Sequence, residues 1–247
     1  TPTIEFYDVF ASDEGTVPQE NMFKFFDQQG RILVLRPDIT VPVARITATK
    51  YKDAAYPLRI SYIGNVFRYN DFGGGKQNEF TQAGIEVLGV STPESDAEVI
   101  SVAIKALKES GLESFKIDIG QVEFFNGLME EARLPEEAAA QINMLIGRKD
   151  NAGLVDFLSG FDIDEGLKKL IIELPGLFGP ADILDMVQSI NLNNRSKGAL
   201  ENIRKVYDIL KDYGHSEYVS IDLGMLRGLD YDTGIIFRGF AYGVGFP

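Results

Sequence analysis

The sequence predicts an α+β fold: a mixed, mainly antiparallel sheet flanked by helices, with a small helical insertion. Three observations carry this prediction. Apolar and polar residues alternate with strand period over 58–69 and 115–120, and further strand-like runs lie at 80–88 and near 218–226 and 234–240. Helical periodicity occupies the stretches between these runs, so antiparallel-looking strands are interleaved with helices. Over 134–194 the strand signal gives way to short helical pieces broken by Gly147, Gly153, Gly160, Gly176, Gly179 and Pro180.

In chain order, residues 22–27 and 31–35 are strand-like and joined by Gln28-Gln29-Gly30, which predicts a hairpin. Pro37 then marks a turn, and Val43, Ala44, Ile46 and Thr47 fall at helical spacing, with Thr40 or Asp38 as the expected cap. The strand over 58–69 is followed by a glycine-rich loop, Asp71-Phe72-Gly73-Gly74-Gly75-Lys76, and the strand over 80–88. Ser91-Thr92-Pro93-Glu94 combines a hydroxyl cap, a proline in the first turn and an acid favoured by the helix dipole. From there Val99, Ile100, Ala103, Ile104 and Leu107 keep helical period until Gly111, and that stripe reads as core. A strand over 115–120 follows, and a longer helix near 198–213 returns the chain to strands. The expected organisation is a core of residues 1–133 and 195–247 carrying an inserted helical lobe, 134–194.

Composition narrows the function. An apolar content of 45% and a charged content of 25% over 247 residues are those of an ordinary globular protein. No apolar run approaches the roughly 20 residues that span a bilayer, and no basic-then-apolar leader is present. The chain opens at Thr1, in what reads as the middle of an element, which predicts residues upstream. Zero cysteines exclude disulfides, thiolate metal sites and cysteine nucleophiles, and the single histidine excludes a histidine-rich zinc site. That histidine, His215, sits in the polar run Asp212-Tyr213-Gly214-His215-Ser216 and is expected to face solvent. The net charge of −13 argues against nucleic-acid binding, whose affinity comes mostly from neutralising phosphates with Lys and Arg.

The densest chemistry lies in Arg227-Gly228-Leu229-Asp230-Tyr231-Asp232-Thr233-Gly234. A guanidinium and two carboxylates are packed beside the apolar run Ile235-Ile236-Phe237, an arrangement suited to holding a small zwitterion. The bland reading of Arg227 with Asp230 is a structural ion pair. Gly73-Gly74-Gly75-Lys76 lacks phosphate-loop spacing and opens no helix, so it reads as a hairpin loop.

Four blocks in order resemble a known family. Phe67-Arg68 matches the pair that ends the first strand of a strand–loop–strand motif in class II aminoacyl-tRNA synthetases. Phe80-Thr81-Gln82-Ala83-Gly84-Ile85-Glu86-Val87-Leu88-Gly89 resembles the histidine-specific form of the second strand. Leu35-Arg36-Pro37-Asp38-Ile39-Thr40 resembles the segment that holds the amino group of bound histidine, and Arg227-Gly228-Leu229-Asp230-Tyr231 the histidine-specific signature. The chain therefore resembles the histidyl-tRNA synthetase core. The resemblance implies a class II synthetase sheet, usually dimeric. It places Gln82 and Thr40 at the backbone groups of the amino acid, with Asp38 beside them. Glu86 would face the imidazole, with Tyr231 and Asp232 completing the histidine-binding set. Arg227 would take the carboxylate, and Arg68 a phosphate if a nucleotide were bound.

The departures from the synthetase pattern are equally specific. Asp232 replaces a tyrosine that helps hold the imidazole, Asp38 replaces a glutamate, and Lys76 and Asn78 stand where arginines are expected. The chain ends at Ala241-Tyr242-Gly243-Val244-Gly245-Phe246-Pro247, without a Gly-Gly-Gly-Arg block for ATP or an anticodon-binding domain. A truncated chain would account for the missing end but not for the substituted loop. These departures are similar to those of the ATP phosphoribosyltransferase regulatory subunits, a family of synthetase paralogues. That likeness implies a non-catalytic, cytoplasmic protein with no cofactor and no metal, contacting neither nucleic acid nor membrane. Its partners would be a short-form catalytic subunit and free histidine as effector, with a homodimer inside a hetero-octamer. The alternatives are the catalytic core of a histidyl-tRNA synthetase and an amino-acid-binding paralogue with another partner.

Chemically, a free amino acid needs acceptors for its ammonium, which Asp38, Thr40 and Gln82 supply, and a planar donor fork for its carboxylate, which Arg227 supplies. An imidazole that donates from both ring nitrogens suits paired acids such as Glu86 and Asp232. The competing reading of Glu86, between Ile85 and Val87, is a solvated strand face.

Overall fold

The computed structural model describes residues 1–11, 17–69, 77–188, 190, 192–226 and 233–242. The chain divides into two units, the first built on Thr1–Ser91 and the second beginning at Thr92.

In the first unit, β1 (Ile4–Phe6), β2 (Lys24–Phe26) and β3 (Ile32–Leu35) form an antiparallel sheet in the order β1-β3-β2. The expected hairpin between β2 and β3 is present. Asp27 accepts the backbone N–H groups of Gln29 and Arg31 at 2.8 and 2.9 Å, and Gly30 takes the positive φ of +76° that closes the turn. Helix α1 (Thr40–Lys50) is tied to β1 by the ion pair between Arg45 and the buried Glu5, at 2.6 Å. The expected cap is corrected here: Ile39 occupies the N-cap position and no side chain caps the helix. Asp38 does not cap it, and the Thr40 hydroxyl is spent on another element, described below.

Strands β4 (Leu58–Phe67) and β5 (Glu79–Leu88) pair antiparallel over their full lengths. Their pleat sorts side chains onto two faces. Ile60, Tyr62, Gly64 and Val66 share one face with Leu88, Glu86, Gly84, Gln82 and Phe80. On that face Val66 packs into a small buried cluster with Ile39 and Val43 of the α1 region.

In the second unit α2 (Pro93–Glu109) begins as expected. Thr92 caps it, and Thr92 and Ser95 form a reciprocal capping box. Strand β6 (Phe115–Gln121) leads into α3 (Val122–Glu131). Next come α4 (Glu136–Gly147), α5 (Asn151–Ser159), α6 (Glu165–Glu173), the two-residue β7 (Phe178–Gly179) and α7 (Ile183–Gln188). Helix α8 (Asn194–Asp212) then precedes β8 (Val219–Asp222) and β9 (Ile235–Ala241). The sheet order is β7-β8-β6-β9, with β6 and β8 parallel and the other pairs antiparallel. Ile117, Ile119 and Ile221 of this sheet are buried in one apolar cluster with Ile100 and Ile104 of α2, Leu128 of α3 and Leu200 and Ile203 of α8. Ile142, Leu154, Leu158, Leu170, Ile171 and Leu184 of α4–α7 belong to the same cluster. Among the described residues no helix is long and apolar enough to cross a membrane.

His215 is corrected by the structure. It is 6% exposed, and its Nε2 lies 3.0 Å from the buried Ser101 hydroxyl of α2. The polar run around it has the composition of a turn, but α2, more than a hundred residues away in the chain, covers its imidazole. Burial and the charges of Lys105 and Lys108 hold its pKa below the ordinary value.

Candidate functional site

Four of the residues expected to bind an amino acid converge in the first unit. The β4–β5 register sets Glu86 opposite Ile60, Gly84 opposite Tyr62 and Gln82 opposite Gly64, all on the face that α1 approaches. From the start of α1, the Thr40 hydroxyl donates to Glu86 Oε1 at 2.8 Å. Glu86 is thereby removed from the solvated-face reading. Burial pushes its carboxyl pKa up, and the nearby Asp38 carboxylate adds to the rise. Hydrogen bonds from Thr40 and Tyr62 oppose it.

Tyr62 was not anticipated from the sequence, and it stands at the centre of the cluster. Its hydroxyl accepts Gln82 Nε2 at 3.2 Å. Its ring lies across Gly84 so closely that a β-carbon there would fall 2.3 Å from the ring and hydroxyl. Burial raises its phenol pKa, hydrogen bonding to Thr40 opposes this, and the charges of Glu86 and Asp38 add to it. The signal for Tyr62 was in the register: a glycine directly opposite an aromatic in a two-stranded ribbon leaves room for the ring to lie over the partner strand.

Arg36 performs a different task. It is 8% exposed, donates Nε to the Asn65 carbonyl at 2.7 Å, and directs Nη1 to the Thr1 carbonyl and hydroxyl at 3.0 and 3.1 Å. Its guanidinium passes over Gly64, where a β-carbon would meet it at 2.6 Å. These bonds fix the segment that delivers Asp38 and Thr40. A recess of about 530 Å³ shares Tyr62 with the cluster and has Arg36, Ile39, Val43 and Ile60 in its lining. Arg68 donates Nε to the Pro37 carbonyl at 2.8 Å, and its guanidinium lies 5.5 Å from the Phe80 ring centroid.

Among the described residues, two acceptors at this cluster have no donor: Asp38 is 2% exposed and its Oδ2 is buried without a hydrogen-bond partner there, as is Gln82 Oε1. Burying such atoms unpaired costs on the order of 1–3 kcal/mol each, so a ligand that supplies N–H donors recovers free energy here. Arg227, Tyr231 and Asp232 lie outside the described residues, as do Gly73, Gly74, Gly75 and Lys76. Among the described residues no group of three or more metal-ligating side chains occurs.

The second unit has a groove of about 620 Å³ that includes Lys116, Asp118, Ser220 and Asp222. These four side chains are occupied locally. The Ser220 hydroxyl donates to Asp118, Lys116 Nζ donates to the Glu217 carbonyl at 2.6 Å, and Asp222 accepts the Gly224 N–H at 2.9 Å.

The fold is that of the class II aminoacyl-tRNA synthetases. Within that class the chain belongs to the histidyl-tRNA synthetase family, whose model matches residues 1–247. Among curated proteins it is 62% identical over 247 residues to the ATP phosphoribosyltransferase regulatory subunit of Acetivibrio thermocellus, covering 100% of this chain and 59% of the relative. It is 60% identical over 247 residues to the protein of the same name from Ruminiclostridium cellulolyticum, again covering 100% of this chain and 59% of the relative. A crystal structure described as an ATP phosphoribosyltransferase regulatory subunit/histidyl-tRNA synthetase from Bacillus halodurans C superposes with a TM-score of 0.91 at 35% identity. That match covers 100% of this chain and 64% of that one. The chain thus spans 59% of the length of these two curated relatives.

Proposed function

We propose that residues 1–247 form the amino-acid-binding part of a non-catalytic regulatory subunit of ATP phosphoribosyltransferase, with free histidine as the effector. In this reading the subunit is required by a short catalytic chain that performs the first step of histidine biosynthesis, and it mediates feedback inhibition. The carrying observation is the pair of buried acceptors, Asp38 Oδ2 and Gln82 Oε1, that have no donor among the described residues. An ammonium group brings three N–H donors to such a place. Asp38, Thr40 and Gln82 receive the ammonium, and Glu86 receives an imidazole N–H. By family resemblance Arg227 takes the carboxylate, while Tyr231 and Asp232 flank the side chain. Asp232 stands in for the family's tyrosine as a second imidazole acceptor, so Asp232→Ala is expected to weaken histidine binding by more than twofold.

The identity of 62% over the whole chain supports the regulatory assignment, and the net charge of −13 favours a protein that does not bind tRNA. The assembly is read as a homodimer within a cytoplasmic hetero-octamer, with residues 134–194 as a helical lobe inserted in a synthetase-like core of 1–133 and 195–247. Histidine acts by favouring one arrangement of that assembly, a coupling of about 1–3 kcal/mol. The test is reconstitution of the full-length protein with a short phosphoribosyltransferase chain. Activity that requires this protein and falls on adding histidine supports the reading. A catalytic chain indifferent to it leaves an amino-acid-binding paralogue with another partner.

The family model favours one alternative, the catalytic core of a histidyl-tRNA synthetase. Robust histidine-dependent pyrophosphate exchange by the full-length protein alone establishes that enzyme and removes the regulatory reading. Its absence, with ATP and Mg²⁺ supplied, supports the regulatory subunit.

A further inference from the structure

Arg36 is a buried cation whose hydrogen-bond acceptors are all neutral. It is 8% exposed, and its Nε donates to the Asn65 carbonyl at 2.7 Å. Nη1 serves the Thr1 carbonyl, the Thr1 hydroxyl and the Pro2 carbonyl at 3.0, 3.1 and 3.4 Å. Among the described residues no carboxylate pairs with it, and its third nitrogen, Nη2, donates to nothing. A charge taken out of water is costly unless an opposite charge meets it. Nη2 lies 2.6 Å from where a β-carbon of Gly64 would stand, on the face of the β4–β5 ribbon that carries Tyr62, Gln82 and Glu86. Gly64 is the cross-strand partner of Gln82, whose Oε1 is buried with no donor among the described residues. Arg36 and Tyr62 also line one recess of about 530 Å³, and the Tyr62 hydroxyl accepts Gln82 Nε2 at 3.2 Å. Asp38, two residues along from Arg36, holds the other such acceptor. An unmatched positive charge and unmatched acceptors are thus gathered on one strand pair and the segment bonded to β4.

Resting on the histidine-binding reading above, we infer that Arg36 is a binding residue for the ligand's α-carboxylate, with Nη2 as the donor and Gly64 as the residue that makes room for it. A free amino acid carries a carboxylate and an ammonium on one carbon, so its receptor needs a cationic donor close to uncommitted acceptors. Arg36 Nη2 supplies the first, and Asp38 Oδ2 and Gln82 Oε1 supply the second. The planar guanidinium lets one side chain do two jobs. Nε and Nη1 hold the backbone of Thr1, Pro2 and Asn65, which fixes the direction in which Nη2 is presented. The carboxylate offsets the buried charge, so the site discriminates an amino acid from an amine that lacks the group. Lysine cannot substitute, since one ammonium nitrogen cannot fill the places of three. Arg227, to which the family resemblance gives the same carboxylate, is the natural comparison.

The experiment compares histidine with histidinol, which has an alcohol in place of the carboxylate, by calorimetric titration of the full-length protein. The readout is the ratio of the two dissociation constants in wild type, Arg36→Lys, Gly64→Ala and Arg227→Lys. Arg36→Lys is expected to lower the preference for histidine about tenfold, while histidinol affinity changes within about twofold. Gly64→Ala keeps Arg36 but pushes Nη2 aside, and is expected to lower the same ratio. An Arg36 that only holds the backbone weakens both ligands alike and leaves the ratio unchanged, which overturns the inference. A preference that vanishes in Arg227→Lys and persists in the other two variants overturns it too. A crystal structure of the full-length wild type with histidine answers without any substitution. A carboxylate oxygen about 3 Å from Arg36 Nη2 is expected there, and an Nη2 that meets no ligand oxygen overturns the assignment. Each of these failures leaves histidine binding itself standing. A wild-type protein that releases no heat with histidine removes that reading and the inference with it.

Discussion

The Thr40 hydroxyl donates to Glu86 Oε1 at 2.8 Å, joining the first turn of α1 to the middle of β5. That bond spends the hydroxyl that would otherwise cap the helix, so α1 begins without a side-chain cap. A typical cap contributes about 1 kcal/mol, which marks the size of the stability given up to hold a carboxylate in place.

Glu86→Gln is predicted to separate binding from stability. Burial raises the Glu86 pKa, so the folded state holds this proton more tightly than the unfolded state does. The associated stability is fully present below the unfolded pKa and is lost as pH rises through the raised folded value. At neutral pH the glutamine variant lacks that cost and still accepts from Thr40. The variant is expected to melt at or above the wild-type temperature in calorimetry while binding histidine at least tenfold more weakly. A variant that melts well below wild type contradicts the assignment.

Gly84→Ala is predicted to damage the site more than the strand. A β-carbon would fall 2.3 Å from the Tyr62 ring and hydroxyl, so the ring must swing away and the Gln82 bond must break. Histidine affinity in calorimetric titration is expected to drop about tenfold or more. Wild-type affinity in this variant contradicts the placement of Tyr62.

His215, the only histidine in the chain, gives an NMR signal that needs no assignment by mutagenesis. Its folded pKa is depressed by burial and by Lys105 and Lys108, so the unfolded state binds the proton more readily. Stability is predicted to fall as pH drops from the ordinary imidazole pKa of about 6.5 toward the lower folded value, and to level off below it. The imidazole resonance is expected to titrate below about 6.5 in the folded protein. A midpoint at or above that value contradicts the burial.

Ile119→Ala tests the apolar cluster of the second unit. Ile119 is fully buried in β6, between β8 and β9. Its truncation is expected to cost about 2–5 kcal/mol in denaturant unfolding. A loss below about 1 kcal/mol would mean the sheet is not covered as described.

How much of this was legible depended on the range of the interaction. The β2–β3 hairpin was readable because Gln28-Gln29-Gly30 is a local turn signal, and the start of α2 because Thr92 and Pro93 act within one turn. Strand β1 was not, since Ile4–Phe6 is too short to display a period. The parallel pairing of β6 with β8 joins residues about a hundred positions apart, which no local pattern encodes. In the site, Asp38, Thr40, Gln82 and Glu86 were chosen from motif resemblance, and the structure brings them together. Thr40 was misread as a cap because the sequence does not show that β5 offers its hydroxyl a better acceptor. Tyr62 was missed because its importance comes from the partner strand: only the register reveals that Gly84 lies beneath it.

The central claim is that the buried acceptors Asp38 Oδ2 and Gln82 Oε1 take the ammonium of one free amino acid, and titration calorimetry of the full-length wild-type protein tests it most directly. The account predicts saturable heat with histidine and none with ATP injected afterwards. No heat with histidine, or ATP heat that appears only once histidine is present, contradicts it.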